Sequence, residues 1–174
     1  MKRILKILTL ALFLVLAGTA TAQLTVPGTS VTFRLNSEDW RYLRTFQLDD
    51  GGDVYLYYYI GRTLVDMEGD TVLPCLRIYV NEGYDGDLYG LAYERYMLQP
   101  FQSVHEYTHG PGLPKSGGLG YVGAYTNPAS QKDYQFYMTY FKDHGTAVEF
   151  RLETTKDTFE EMNSEFKNIL GTIK

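Results

Sequence analysis

The chain has 174 residues, 21 Asp and Glu against 16 Lys and Arg, a net charge of −5 and a single cysteine. That is the size of one domain with a core large enough to need no staple, and one cysteine permits no intramolecular disulfide. An acidic surface repels phosphate backbones and anionic lipid, which argues against nucleic-acid and membrane-surface partners.

Lys2, Arg3 and Lys6 precede an apolar run from Ile7 to Ala17, and Ala20-Thr21-Ala22 supplies small residues at the positions a signal peptidase reads. This is the pattern of a secretory signal peptide over residues 1–22, with an apolar centre too short for a membrane anchor. No cysteine stands at the junction, so the lipoprotein route is closed. The expectation is a protein exported to the periplasm or beyond, without a membrane span after cleavage. Residues 23–30, rich in Thr, Pro and Gly, read as a loosely ordered lead-in, and residues 31–174 as one domain.

Within that domain apolar residues alternate. Val31, Phe33 and Leu35 share a face, as do Val54, Leu56, Tyr58 and Ile60, then Leu76, Ile78 and Val80. The same pattern returns over 121–125, 134–141 and 147–152, and period-two alternation rich in Tyr, Val and Phe predicts strands. Asp49-Asp50-Gly51-Gly52, Glu68-Gly69-Asp70 and Asp143-His144-Gly145 are hairpin connections, so the sheet is expected to be antiparallel. A helix is predicted from Asp87, an N-cap, to Leu98 before Pro100. A second follows from Thr158, with Thr158 and Glu161 as a capping box and Phe159, Met162, Phe166, Ile169 and Ile173 at helical spacing. Cys75, between Pro74 and Leu76, is expected to be a buried and inert thiol.

Strands, a mid-chain helix, more strands and a closing helix from Glu153-Thr154-Thr155 to Ile173-Lys174 resemble the PsbP-like superfamily. It includes the photosystem II extrinsic subunit P and bacterial relatives. The resemblance implies an α+β fold in which an antiparallel β-sheet is flanked by helices, an α/β/α sandwich, in proteins that act by binding. It carries no catalytic motif.

One stretch points elsewhere. His105-Glu106-Tyr107-Thr108-His109 spells H-E-x-x-H, in which two imidazoles one helical turn apart hold zinc and the glutamate activates water. The chemistry requires a helix, and Pro100 on one side with Gly110-Pro111-Gly112 on the other leaves little room for one. Gly112 fits the longer metzincin pattern but Lys115 stands where its third histidine belongs. A third ligand would have to come from Glu160, Glu161 or Glu165 of the closing helix, with Glu161 the one taken here, or from His144. The simpler reading is a polar surface segment, and the zinc peptidase with Glu106 as base is the alternative. Asp85-Gly86-Asp87 and Asp49 to Asp53 lack the spacing of a calcium loop and read as turn chemistry, and Lys115-Ser116 lacks the P-loop pattern.

The sixteen tyrosines are the more unusual feature. Tyr55, Tyr57 and Tyr59 share one face of a strand, as do Tyr121 and Tyr125. Either these rings pack beneath a helix with their hydroxyls satisfied, or they stay uncovered as an aromatic platform for a protein or glycan partner. The leading expectation is a non-catalytic exported domain that uses such a platform and needs no cofactor.

Overall fold

The structure, a computed structural model, describes residues 21–98, 101–107, 113 and 117–174. The chain forms strands β1 (Thr21–Thr25), β2 (Thr32–Asn36), β3 (Trp40–Gln47), β4 (Asp53–Tyr59), β5 (Leu64–Val65), β6 (Thr71–Val72) and β7 (Cys75–Asn81). Helix α1 (Leu88–Leu98) follows, then β8 (Ser103–Tyr107), β9 (Leu119–Thr126), β10 (Asp133–Asp143), β11 (Thr146–Thr155) and helix α2 (Lys156–Gly171). Seven strands form one sheet in the order β3-β4-β7-β11-β10-β9-β8, and every neighbouring pair is antiparallel. This is an α+β protein with a mostly antiparallel sheet and two helices.

The predicted alternation builds the two sheet faces. Successive strand residues point to opposite sides, so Leu76, Ile78 and Val80 join Val148, Phe150 and Leu152 in one apolar cluster with Phe159, Met162, Phe166 and Ile169 of α2. Tyr79, Phe136, Met138, Tyr140 and Ala147 point the other way, into a second cluster with Leu91 of α1. The β10–β11 turn carries positive φ at His144 and Gly145, the two-residue geometry that matches strand twist. At α1, the Asp87 carboxylate accepts the Gly90 N–H at 2.7 Å, the expected N-cap.

Three local expectations are corrected. Residues 23–30 are not a loose lead-in: Gln23, Leu24 and Thr25 pair with Arg34, Phe33 and Thr32, and Val26 is fully buried. The reason is that β2 offers an apolar face, and a hairpin partner satisfies backbone groups that an isolated strand would leave open. The capping box does not form. The helix starts two residues earlier, after Thr155, with no side-chain cap. Thr158 sits inside its first turn, its hydroxyl against Thr154 at 2.7 Å and Thr155 at 3.0 Å, because β11 runs unbroken into the helix and buries these threonines. Finally, β3 and β8 have no clear alternation and were missed. Both are sheet edges, held by pairing on one side alone.

Candidate functional site

Residues 103–107 are strand, not helix. His105 pairs opposite Val122 and Glu106 opposite Tyr121, so their side chains leave the sheet on opposite faces. His109 lies outside the described residues, as do residues 1–20 of the stretch 1–22 expected to be a signal peptide. Glu106 serves a different purpose here: it accepts the Tyr89 hydroxyl at 3.1 Å and so ties α1 to β8. Glu161 is engaged by Arg62 at 3.4 Å. His144 is exposed at the β10–β11 turn, and its Nε2 lies 3.7 Å from its neighbour Asp143.

Among the described residues, the acidic group spaced for a cation is Asp66, Glu68 and Asp70 on the β5–β6 turn. The Lys132 ammonium fills it, 2.5 Å from Asp66, 2.5 Å from Asp70 and 3.4 Å from Glu68. The hydrogen bond from Lys132 holds the Asp66 carboxyl below its ordinary value. Asp50 acts as turn chemistry predicts, accepting the Gly52 N–H at 2.9 Å.

The structure divides the five platform tyrosines between two faces. Tyr55, Tyr57 and Tyr59 are partly buried against the cluster under α2. Tyr121 and Tyr125 lie on the α1 side, where Tyr125 is 1% exposed and donates to Glu153 at 3.1 Å. Tyr121 instead lines a cleft of about 450 Å³ between α1 and strands β8–β10. Its other walls are Tyr89, Tyr93 and Tyr96 of α1, Phe101, Val104, Met138 and Tyr140. Tyr89 and Tyr93 are 58% and 64% exposed. Sequence reading missed these three helical tyrosines, although their spacing at 89, 93 and 96 puts them on one helix stripe. Burial, with Glu106 adding to it, pushes the Tyr121 phenol up to about 12, so that phenol is neutral at physiological pH. The walls thus offer hydrocarbon, rings and neutral hydroxyls, the lining of an apolar binding site.

Beside this cleft lies a charged ladder. Glu149 and Arg95 pair at 3.3 Å. Glu153, 1% exposed, meets Arg151 at 2.7 Å and Arg77 at 2.8 Å and accepts the Cys75 thiol at 3.3 Å. Burial pushes the Cys75 thiol well above its usual range, with the Glu153 charge adding to it, so the cysteine is inert as expected. Burial opposes ionisation of Glu153, but Arg151 and Arg77 outweigh it and hold its carboxyl below the ordinary range.

The outer wall of the cleft depends on one glycine. Val104 of β8 pairs with Gly123 of β9, and a Cβ there would collide with the Ser103 carbonyl and the Phe136 ring. Gly123→Ala is expected to push β8 outward at a cost of about 1–3 kcal/mol. Hydrogen exchange checks this: amides of 103–107 should exchange faster while those of β10 and β11 hold. Unchanged protection in β8 would mean that the close approach is not real.

These features define an α+β protein whose helix-covered sheet holds an aromatic cleft. The fold is PsbP-like: it is similar to cyanobacterial PsbP (CyanoP) from Synechocystis, with a TM-score of 0.50 and 11% identity over 91% of this chain and 94% of that one. PA94 from Pseudomonas aeruginosa, a protein of unknown function, aligns with a TM-score of 0.47 and 6% identity over 87% and 94% of the two chains. LpqN of Mycobacterium tuberculosis, involved in cell envelope biogenesis, gives 0.45 and 16% over 88% and 90%. No protein-family model and no curated protein sequence matches the chain. At such identities the likeness concerns fold, and there it agrees with the resemblance read from the closing helix. Among the described residues no helix is long and apolar enough to cross a membrane.

Proposed function

We propose that this chain is a non-catalytic, exported binding domain with an α/β/α sandwich fold, and that its binding element is the cleft between α1 and β8–β10. Export rests on the basic, apolar and small-residue pattern of residues 1–22. What supports the helix-on-each-face arrangement is the pair of apolar clusters, one with α2 and one with α1.

The observation that carries the reading is a space of about 450 Å³ walled by exposed Tyr89 and Tyr93 together with Tyr96, Tyr121 and Val104. Tyrosine and tryptophan dominate binding surfaces because they bury a large area at little entropic cost. Of the two partner classes considered from sequence, a glycan would need converging polar groups, and the lining here offers phenols without a carboxylate, Glu106 being bonded to the Tyr89 hydroxyl. The chemistry favours an apolar group, whether an anchor presented by a protein partner or a free ligand. Zinc chemistry at Glu106 is not favoured by any contact described above.

Capture of the neutral apolar dye Nile red tests the cleft. The protein should bind the dye with an enhanced, blue-shifted emission. Val104 is 37% exposed on an edge strand, a position where tryptophan is tolerated, and Val104→Trp fills the cleft. Dye affinity should fall at least about tenfold in this variant, with stability within roughly 0.5 kcal/mol of the original. Equal capture by both proteins would place the binding surface elsewhere.

A further inference from the structure

Helix α1 is too short to cover its face of the sheet. Its eleven residues span about 16 Å, whereas β10, also eleven residues, runs about 37 Å. On the part left open, Tyr58, Cys75 and Glu153 stand abreast on β4, β7 and β11, and Tyr134 of β10 pairs with Tyr125 of β9. The β5–β6 turn and Asn127 rise beside them, and together they enclose a groove of about 650 Å³. None of the residues lining this groove lines the aromatic cleft, so it is a separate space with its own chemistry.

The walls combine fixed rings with paired charges. Tyr134 stacks on Tyr125, with centroids 5.5 Å apart and planes at 23°, which holds its ring in place, and Tyr58 is half-buried on the opposite side. Arg77 pairs with Glu153 at 2.8 Å, and Lys132 with Asp66 and Asp70 at 2.5 Å each. Such pairing weakens the field that would draw an ion, yet it does not exhaust hydrogen bonding. A guanidinium carries five N–H donors and a carboxylate about four lone-pair sites, and the Arg77 and Asp70 side chains are 41% and 65% exposed. An accessible donor and an accessible acceptor therefore flank the rings.

A pyranose sugar answers this arrangement. Its hydroxyls both donate and accept hydrogen bonds, and when they are all equatorial its ring presents a C–H face that packs on the electron-rich face of an aromatic ring. The converging polar groups that the aromatic cleft lacks are present here. Tyr58 and Tyr134 stand three strand spacings apart, about 14 Å across the sheet, a distance that linked rings bridge and a single ring does not. We infer that this groove is a second binding site, for a neutral oligosaccharide of β-linked, glucose-type units, with one ring against Tyr134 and hydroxyls at Asp70, Arg77 and Asn127. The site goes beyond the apolar cleft and does not depend on it.

Saturation-transfer NMR and titration with cellotriose test it, with triglucuronate of the same linkage as the acidic counterpart. Cellotriose should receive saturation from the unaltered protein and bind at least about tenfold more tightly than triglucuronate, the ratio expected where no unpaired cation awaits a carboxylate. Tyr134→Leu keeps an apolar wall but removes the flat ring, and cellotriose affinity should fall at least about tenfold. Asp70→Ala, at an exposed turn position, should weaken binding in the same direction and guards against a folding defect in the first variant. Both variants should still capture Nile red, because neither residue walls the aromatic cleft. No saturation transfer to cellotriose, tighter binding of triglucuronate, or unchanged cellotriose affinity in both variants overturns the inference. Cellotriose binding by a protein that fails to capture the dye would remove the cleft and leave this groove standing.

Discussion

Glu153→Ala is expected to destabilise the protein by roughly 3–5 kcal/mol, the cost of breaking a buried ion pair from one side. The carboxylate is 1% exposed and is the common partner of Arg151, Arg77, the Cys75 thiol and the Tyr125 hydroxyl. Removing it leaves Arg77 and Arg151, direct cross-strand neighbours, as like charges without the group between them. Arg151 is further enclosed by aromatic rings, 4.8 Å from the Tyr125 centroid and 5.3 Å from that of Phe136, so water cannot readily replace the lost acid.

The pH dependence gives a second readout. The folded-state carboxyl is held below its ordinary value near 4.5, so its stabilisation is complete above that value. It is lost as pH falls from there through the depressed folded value, because the unfolded chain takes up the proton first. Thermal melts of the unaltered protein between pH 7 and pH 3 should therefore decline at the acid end, and the decline should be shallower in Glu153→Ala. Parallel pH profiles would show that Glu153 is not the buried anion described here.

Phe166→Ala should cost about 3–5 kcal/mol, the range for emptying a large aromatic site in a core. Phe166 has no exposure and stands on the α2 stripe that closes the face built by Ile78, Phe150 and Leu152, with its ring 6.0 Å from that of Phe159. For a domain of this size that corresponds to a drop in melting temperature on the order of 10 °C. A neighbouring control on the polar side, Lys167→Ala, should change stability by less than about 0.5 kcal/mol. A loss below about 1 kcal/mol for Phe166→Ala would mean that α2 does not seal this core. Because the aromatic cleft lies on the other face, a variant that remains folded should still capture Nile red.

The reach of the sequence differs from one part of the molecule to the next, for reasons of chemistry. Strands that bury at least one face announce themselves: 76–80, 134–141 and 147–152 lie within observed strands and 31–35 overlaps one from Thr32 on, because a buried face must be apolar at period two. The closing helix was legible for the same reason at period 3.6, although its first turn was misplaced. There the capping pattern of Thr158 and Glu161 was real in letters but lost to continuous burial of Thr154, Thr155 and Thr158. The edge strands were invisible. Ser103 to Glu106 is exposed throughout, so nothing selects an alternating pattern, and its conformation comes from backbone pairing with β9, whose partner residues lie 15 to 21 positions further along the chain.

By itself, then, the sequence determined the α+β class, the antiparallel sheet, both helices and the inert cysteine, since each depends on local periodicity or on one residue's surroundings. It also showed that tyrosines exceed what a core requires. Only the tertiary structure decided which of them share a space. Tyr55 and Tyr121 both face inward on their strands, yet they lie on opposite sides of the sheet, because face assignment depends on register with β7 and β10 rather than on spacing. The structure alone also joined Arg95 to Glu149 and Tyr89 to Glu106, and it put His105 and Glu106 on a strand rather than a helix. Contacts across many residues of chain are fixed by which strands become neighbours, and no local pattern carries that choice.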